Sequence, residues 1–166
     1  MHILEHGQGQ EKTLLFLPCT AEPVWAFEKT VALLAQSWHV FQVVYDGHEP
    51  SYPGDFTSVE QTVDEITGYL RAHGVTCLDA AYGCSAASDV YKRQPKKEYD
   101  AIEAYLKTYS DQTIRNIFWS GNNYVLPKTP AKIGTKITYW YGDEEKKDRR
   151  SNIRFIKHYF PQARIH

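Results

Sequence analysis

The chain has 166 residues, 42% of them hydrophobic and 23% charged, which is enough for one soluble domain with one buried core. A net charge of -1 gives no electrostatic basis for binding nucleic acid or an anionic membrane, and no apolar run approaches the roughly 20 residues of a membrane span. The start, Met1-His2-Ile3-Leu4-Glu5-His6, lacks the basic head and long apolar stretch of a secretory signal, and Cys19, Cys77 and Cys84 are odd in number and widely spaced; read as reduced thiols, they point to the cytoplasm.

Thr13-Leu14-Leu15-Phe16-Leu17-Pro18 is a continuous apolar run ended by a breaker, which predicts a strand buried on both faces. Pro23 opens a helix in which Phe27, Val31 and Leu34 form one apolar stripe. A second β-rich run spans His39 to Tyr45 and closes at Asp46-Gly47. Pro50, Pro53 and Gly54 mark a loop. Thr57 and Glu60 have capping-box spacing for a helix with Val59, Val63, Ile66 and Leu70 on one face and Gly74 as its stop. Cys77 to Tyr82 is the third strand candidate. Strand, helix, strand, helix, strand is the order of an α/β domain with a mostly parallel sheet covered by helices.

The pattern restarts at Pro95, with Tyr99, Ile102, Leu106 and Tyr109 on one side of a helix. Ser110-Asp111 caps a shorter helix carrying Ile114, Ile117 and Phe118, and residues 121–134 read as a loop. Lys136 to Tyr141 predicts a strand that should join the first three as a parallel neighbour. Residues 144–159 predict a polar helix, with Ile153, Ile156 and Phe160 turned inward, and Ala163 to His166 begins one more strand. No internal repeat is present.

Between these halves lies Ala81-Tyr82-Gly83-Cys84-Ser85, a Gly-x-Ser at the end of an apolar run, as in a strand-to-helix nucleophile elbow. From Ser85 to Gln94 the chain has another character. Ser-Ala-Ala-Ser-Asp-Val-Tyr-Lys-Arg-Gln resembles, at all ten positions, the translation of a transposon-end adapter used in preparing DNA for sequencing. The sequence therefore reads as a chimera, with a junction at residues 85–94 expected to form a loop or a short exposed helix.

Three segments carry a resemblance to a known family. Leu17-Pro18-Cys19-Thr20, Tyr82-Gly83-Cys84-Ser85 and Trp140-Tyr141-Gly142-Asp143-Glu144-Glu145 resemble, in order and spacing, strand ends of the α/β-hydrolase superfamily, over residues 2–84 and 98–166. Small bacterial hydrolases whose elbow reads Tyr-Gly-Cys-Ser-Leu-Gly-Gly are particularly similar; here Ala86-Ala87-Ser88 follows the serine. The resemblance implies one domain with a three-layer, mostly parallel sheet and helices on both faces, an incomplete α/β-hydrolase fold. It implies Ser85 as nucleophile toward a small-molecule carboxylic ester or related acyl bond. The amides of Cys19 or Thr20 and of Ala86 are implied as the oxyanion hole. Glu145, three residues after Gly142, is implied as the triad acid, with Asp143 as the alternative. No cofactor and no metal are implied. A strand and lid expected after the elbow are missing, and the last strand has only begun at His166. The catalytic histidine is therefore expected beyond residue 166, and the chain is expected to be inactive.

Plainer readings stand beside these. Asp143 to Glu145 suits the acidic first turn of a helix, which favours negative charge. The cysteines suit small core positions, and Lys146 to Arg150 suits a solvated helix face. The histidines show no H-E-x-x-H spacing, and Gly7-Gln8-Gly9 lacks the third glycine of a dinucleotide fingerprint. The rival from a different class is a non-enzymatic, flavodoxin-like module binding a small ligand at the carboxyl ends of its strands. Oligomeric state is not encoded in any feature of the sequence.

Overall fold

Two apolar runs, each packed against an amphipathic helix, build the main buried core. The computed structural model describes residues 1–20, 22–84, 96–123, 134–147 and 149–166. The chain forms two compact units, Met1–Tyr124 and Val125–His166.

In the first unit the strands are β1 (His2–His6), β2 (Thr13–Leu17), β3 (His39–Val44) and β4 (Ala80–Gly83). Their order is β1-β3-β2-β4. β2 pairs in parallel with β3 and with β4, as the sequence predicts. Helix α1 (Glu28–Leu34) connects β2 to β3, and α2 (Val59–Ala72) connects β3 to β4. Alternation along the strands divides the core. Leu15, Phe41 and Val43 pack with Ile66 and Leu70 of α2 on one face. Leu14, Phe16 and Val40 pack with Val31 of α1 on the other. The two helices therefore cover opposite faces of a sheet buried on both sides, and each fully buried side chain of this kind contributes about 1.5–3 kcal/mol.

β1 is not legible as a strand in the sequence. It runs antiparallel to β3, from His2 opposite Val44 to His6 opposite Val40. Its polar residues hide the period, yet each has a partner. Glu5 accepts a hydrogen bond from Tyr69 Oη at 2.6 Å and pairs with His39 Nε2 at 2.8 Å. His6 Nε2 donates to Gln42 Oε1 at 3.1 Å. The Tyr69 hydroxyl and, next, the His39 ring hold the Glu5 carboxyl below its ordinary range. The α2 cap also differs by one residue from expectation. Ser58, in extended backbone, accepts the Gln61 N–H at 3.1 Å, whereas the Thr57 hydroxyl turns to the Asp55 carbonyl.

Helices α3 (Lys96–Leu106) and α4 (Asp111–Asn123) follow. α4 runs three residues into the stretch expected to be loop. It docks through polar side chains against backbone. Thr113 Oγ1 accepts the Phe56 N–H at 3.1 Å, Asn116 Nδ2 donates to the Phe56 carbonyl at 2.7 Å, and Ser120 Oγ accepts the Val59 N–H at 2.9 Å. Ser110 and Thr113 also donate to Asp55 Oδ1. Thr113 is fully buried. Gly47, at φ +70°, passes so close to the Thr113 side chain that a Cβ there has no room.

In the second unit, β5 (Thr138–Tyr139), α5 (Arg150–Tyr159) and β6 (Arg164–Ile165) form a small β-α-β arrangement. β5 and β6 pair in parallel, Thr138 opposite Arg164. The run at 136–141 thus makes its ladder with β6, in a sheet of its own, and not with the first three parallel strands as the sequence reading expects. The physical reason is local: α5 returns the chain directly to a neighbouring strand, a short loop closure. The predicted helix at 144–159 is split, a 3-10 turn at Asp143–Glu145 preceding α5. No helix among the described residues is long and apolar enough to cross a membrane.

Candidate functional site

The sheet order decides which residues meet. From β2 the chain crosses to β3 on one side, then returns past β2 to β4 on the other. The carboxyl ends of β2 and β4 therefore flank the point where the winding reverses, the usual ligand crevice of an open α/β sheet. Leu17 lies opposite Gly83, and the Cys84 N–H donates to the Leu17 carbonyl at 3.4 Å. The turn after β2 contains Pro18, Cys19 and Thr20. Tyr45 Oη anchors it by donating to the Pro18 carbonyl at 3.2 Å, and burial pushes this phenol up to about 12. The amides of Cys19 and Thr20 donate none of the backbone hydrogen bonds found among the described residues.

Cys19 and Cys84, 65 residues apart in sequence, are joined by a disulfide with a Cα–Cα distance of 5.0 Å. This corrects the reading of the cysteines as separate reduced thiols in the core. The parallel register of β2 and β4 brings the two positions together, and no spacing rule in the sequence announces it. Cys77, the third, is exposed and free. Beside the pair stands Glu22, whose N–H donates to the Cys19 carbonyl at 3.4 Å and whose carboxyl is raised by burial. The two sulfurs and a Glu22 carboxylate oxygen lie within 4.8 Å of one another, all on half-buried residues. Sequence reasoning missed this cluster. Its only sequence signal is the Cys19–Glu22 spacing across one turn.

Ser85 and Ala86, with the rest of the 85–94 junction, lie outside the described residues. The residue immediately before the serine, Cys84, is placed, and so are Cys19 and Thr20 of the expected oxyanion loop. These come together at one sheet edge.

The expected acids lie together in the second unit, in the turn after β5. Glu145 closes that turn on itself. Its N–H donates to the Gly142 carbonyl at 2.9 Å, and its Oε2 accepts the Gly142 N–H at 3.0 Å. Oε1 receives Arg149 Nη2 at 2.8 Å. The Arg149 contact first, and the Gly142 amide second, hold this carboxyl below its ordinary range. This is the geometry of an acidic residue capping the start of a helical segment. Asp143 is exposed in the same turn. The two histidines of this unit are engaged elsewhere. His158 packs edge-on against Tyr159, and His166 has its ring beside Trp140 and its backbone bonded to Tyr139 O and Tyr141 N. Neither ring bonds to Glu145 or Asp143.

A separate concavity of about 650 Å³ lies over β1 and β3, between Leu4, His6 and Gln42 on the sheet and Trp25, Glu28 and Tyr52. Its lining includes none of Cys19, Thr20 and Cys84. Comparison of the chain with protein-family models, with curated proteins and with solved structures found no match.

Proposed function

We propose that the edge formed by Cys19, Thr20 and Cys84 is the acyl-transfer site of a serine hydrolase of α/β-hydrolase type. In this reading Ser85 attacks the carbonyl of a small-molecule carboxylic ester or related acyl compound. The amides of Cys19 or Thr20 and of Ala86 stabilise the oxyanion, and Glu145, or Asp143, is the acid. The observation that carries it is the side-by-side placement of the β2 and β4 ends. A nucleophile one residue past Cys84 and an oxyanion loop at Cys19 need that adjacency, and the 5.0 Å Cα separation supplies it. The α4 seam adds support. Residues 110–120 fit the 55–59 backbone hydrogen bond by hydrogen bond, as pieces of one parent protein do. Among the described residues of the second unit no imidazole is bonded to either acid, which on this reading accords with low turnover.

The test is mass spectrometry after prolonged incubation with an aryl fluorophosphonate. A slowly formed adduct confined to Ser85, and missing from Ser85→Ala, supports the reading. Adducts scattered over the 12 tyrosines, or no adduct at Ser85 even with free imidazole added as an external base, overturn it. The winding about β2 equally suits the second reading, a flavodoxin-like module that binds a small ligand at the same crevice without chemistry. A missing Ser85 adduct leaves that reading standing.

A further inference from the structure

We propose that the reduced Cys19–Cys84 pair, with Glu22, is a binding site for a zinc-like divalent cation, closed by oxidation to the disulfide. The inference stands on three side chains and goes beyond the acyl-transfer reading, which uses Cys19 only through its backbone.

The ligand chemistry is that of zinc. Two thiolates select a soft or borderline ion over magnesium or calcium, and two sulfurs plus one carboxylate leave a fourth position for water. The geometry is close to what such an ion requires. Around a tetrahedral ion with Zn–S bonds of about 2.3 Å, two sulfurs sit roughly 3.8 Å apart. Opening the disulfide lets the Cys19 and Cys84 sulfurs separate to that distance from Cα atoms 5.0 Å apart. Glu22 already brings its carboxylate within 4.8 Å of both sulfurs, so an approach of about 1 Å completes a three-ligand set. The frame is held independently of the ion. Cys84 follows β4, bonded to Leu17, and the Pro18 carbonyl before Cys19 is bonded to Tyr45.

The redox step balances. A dithiol reductant transfers two electrons and two protons to the S–S bond, giving two Cys thiols and a cyclic disulfide of the reductant. The cation then displaces a proton from each thiol to solvent and binds two thiolates and the Glu22 carboxylate. In a reducing compartment the pair is a dithiol and the site is open; under oxidation the sulfurs bond to each other and it closes.

The experiment uses the full chain, reduced with a dithiol and desalted without air, with Co²⁺ as spectroscopic probe and Zn²⁺ as competitor. One equivalent of Co²⁺ should give a thiolate-to-cobalt charge-transfer band that Zn²⁺ abolishes. The oxidised chain should give none. Glu22→Gln should weaken Co²⁺ binding at least ~10-fold, and Cys77→Ser should leave it unchanged. A readout without variants guards against misfolding: Zn²⁺ should slow iodoacetamide alkylation of Cys19 and Cys84 at least ~10-fold while Cys77 reacts freely. Equal alkylation with and without Zn²⁺ overturns the proposal, as does protection that depends on Cys77. Full affinity in Glu22→Gln removes the third ligand and overturns the three-ligand assignment. Collapse of the circular dichroism on reduction also counts against it, because the site depends on a sheet that holds without the bond. None of these readouts involves Ser85, so failure here and failure of the acyl-transfer reading are separable.

Discussion

Cys19 and Cys84 terminate two parallel neighbouring strands at the same end of the sheet, and a disulfide joins them across 65 residues of chain. That one relationship ties the loop after β2 to the end of β4, next in sequence to Ser85. It also closes a loop containing α1, β3, α2 and β4, so it acts on the denatured chain as much as on the site.

The first prediction follows from that loop. A bridge spanning 65 residues removes denatured-state entropy worth up to about 4 kcal/mol, with about 2–4 kcal/mol typical. Cys84→Ser should therefore lower the unfolding free energy by about 2–4 kcal/mol in denaturant titrations without reductant, and by much less when both proteins are reduced. Equal loss in the two conditions would show that Cys84 contributes through packing.

A second prediction concerns His48, which is buried at 3% exposure among Tyr45, Phe56 and Tyr109. Its Nδ1–H donates to the Asp46 carbonyl at 3.0 Å, and its Nε2 has no partner among the described residues. Burial lowers its pKa, more than the nearby Asp46 raises it. The native state therefore resists a proton that the unfolded chain takes up near pH 6.5. Stability is present above that pH and is lost as pH falls through it toward the lower native value. Glu22, raised by burial, acts with the opposite sign, so the decisive comparison is with His48→Phe. Between pH 7 and 5 the melting temperature of the parent should fall more steeply than that of the variant. Parallel curves would refute the assignment.

The third prediction tests the α4 seam. Thr113→Val keeps the shape but leaves the buried Phe56 N–H without its acceptor, at a cost of about 1–3 kcal/mol. Gly47→Ala should cost about 1–2 kcal/mol from its φ of +70° alone, plus the contact with Thr113. Because these residues touch, the loss in the double variant should depart from the sum of the two single losses in denaturant titrations. Full additivity would argue against the contact.

What was legible in the sequence was carried by apolar runs. Thr13–Leu17 and His39–Val44 are continuous and bounded by breakers, and Ile66 and Leu70 recur at helical spacing, so β2, β3 and α2 stand close to where they were expected. β1 was hidden because His2, Glu5 and His6 interrupt its apolar residues, and Glu5 and His6 are matched by distant partners, Gln42, His39 and Tyr69. The fate of residues 136–141 turned on which strand they pair with, a matter of loop closure that periodicity does not encode. At the candidate site, Cys19 and Thr20 could be placed because a strand end is a local feature. The Cys19–Cys84 bond and the approach of Glu22 could not, since they depend on the register between β2 and β4. For Glu145 the plainer reading, an acid in a first helical turn, describes its bonds to Gly142 and Arg149.

The last prediction concerns turnover on the acyl-transfer reading. The purified chain should hydrolyse a p-nitrophenyl ester little faster than buffer, and Ser85→Ala should change that rate little. The reason lies in the second unit: Glu145 is committed to Gly142 and Arg149, the His166 backbone is fixed in the β5–β6 ladder, and His158 packs on Tyr159. Among the described residues no imidazole of that unit is bonded to an acid, and on the acyl-transfer reading a serine without such a pair would lack general-base assistance of about 10²–10⁴-fold. On the same reading, oxyanion stabilisation from the Cys19 or Thr20 amide would be the main remaining contribution, and without an activated hydroxyl it would accelerate little. A robust rate that disappears in Ser85→Ala would overturn this account. His166→Ala is then the first variant to make, followed by His158→Ala, because a working triad needs one of the chain's imidazoles as its base.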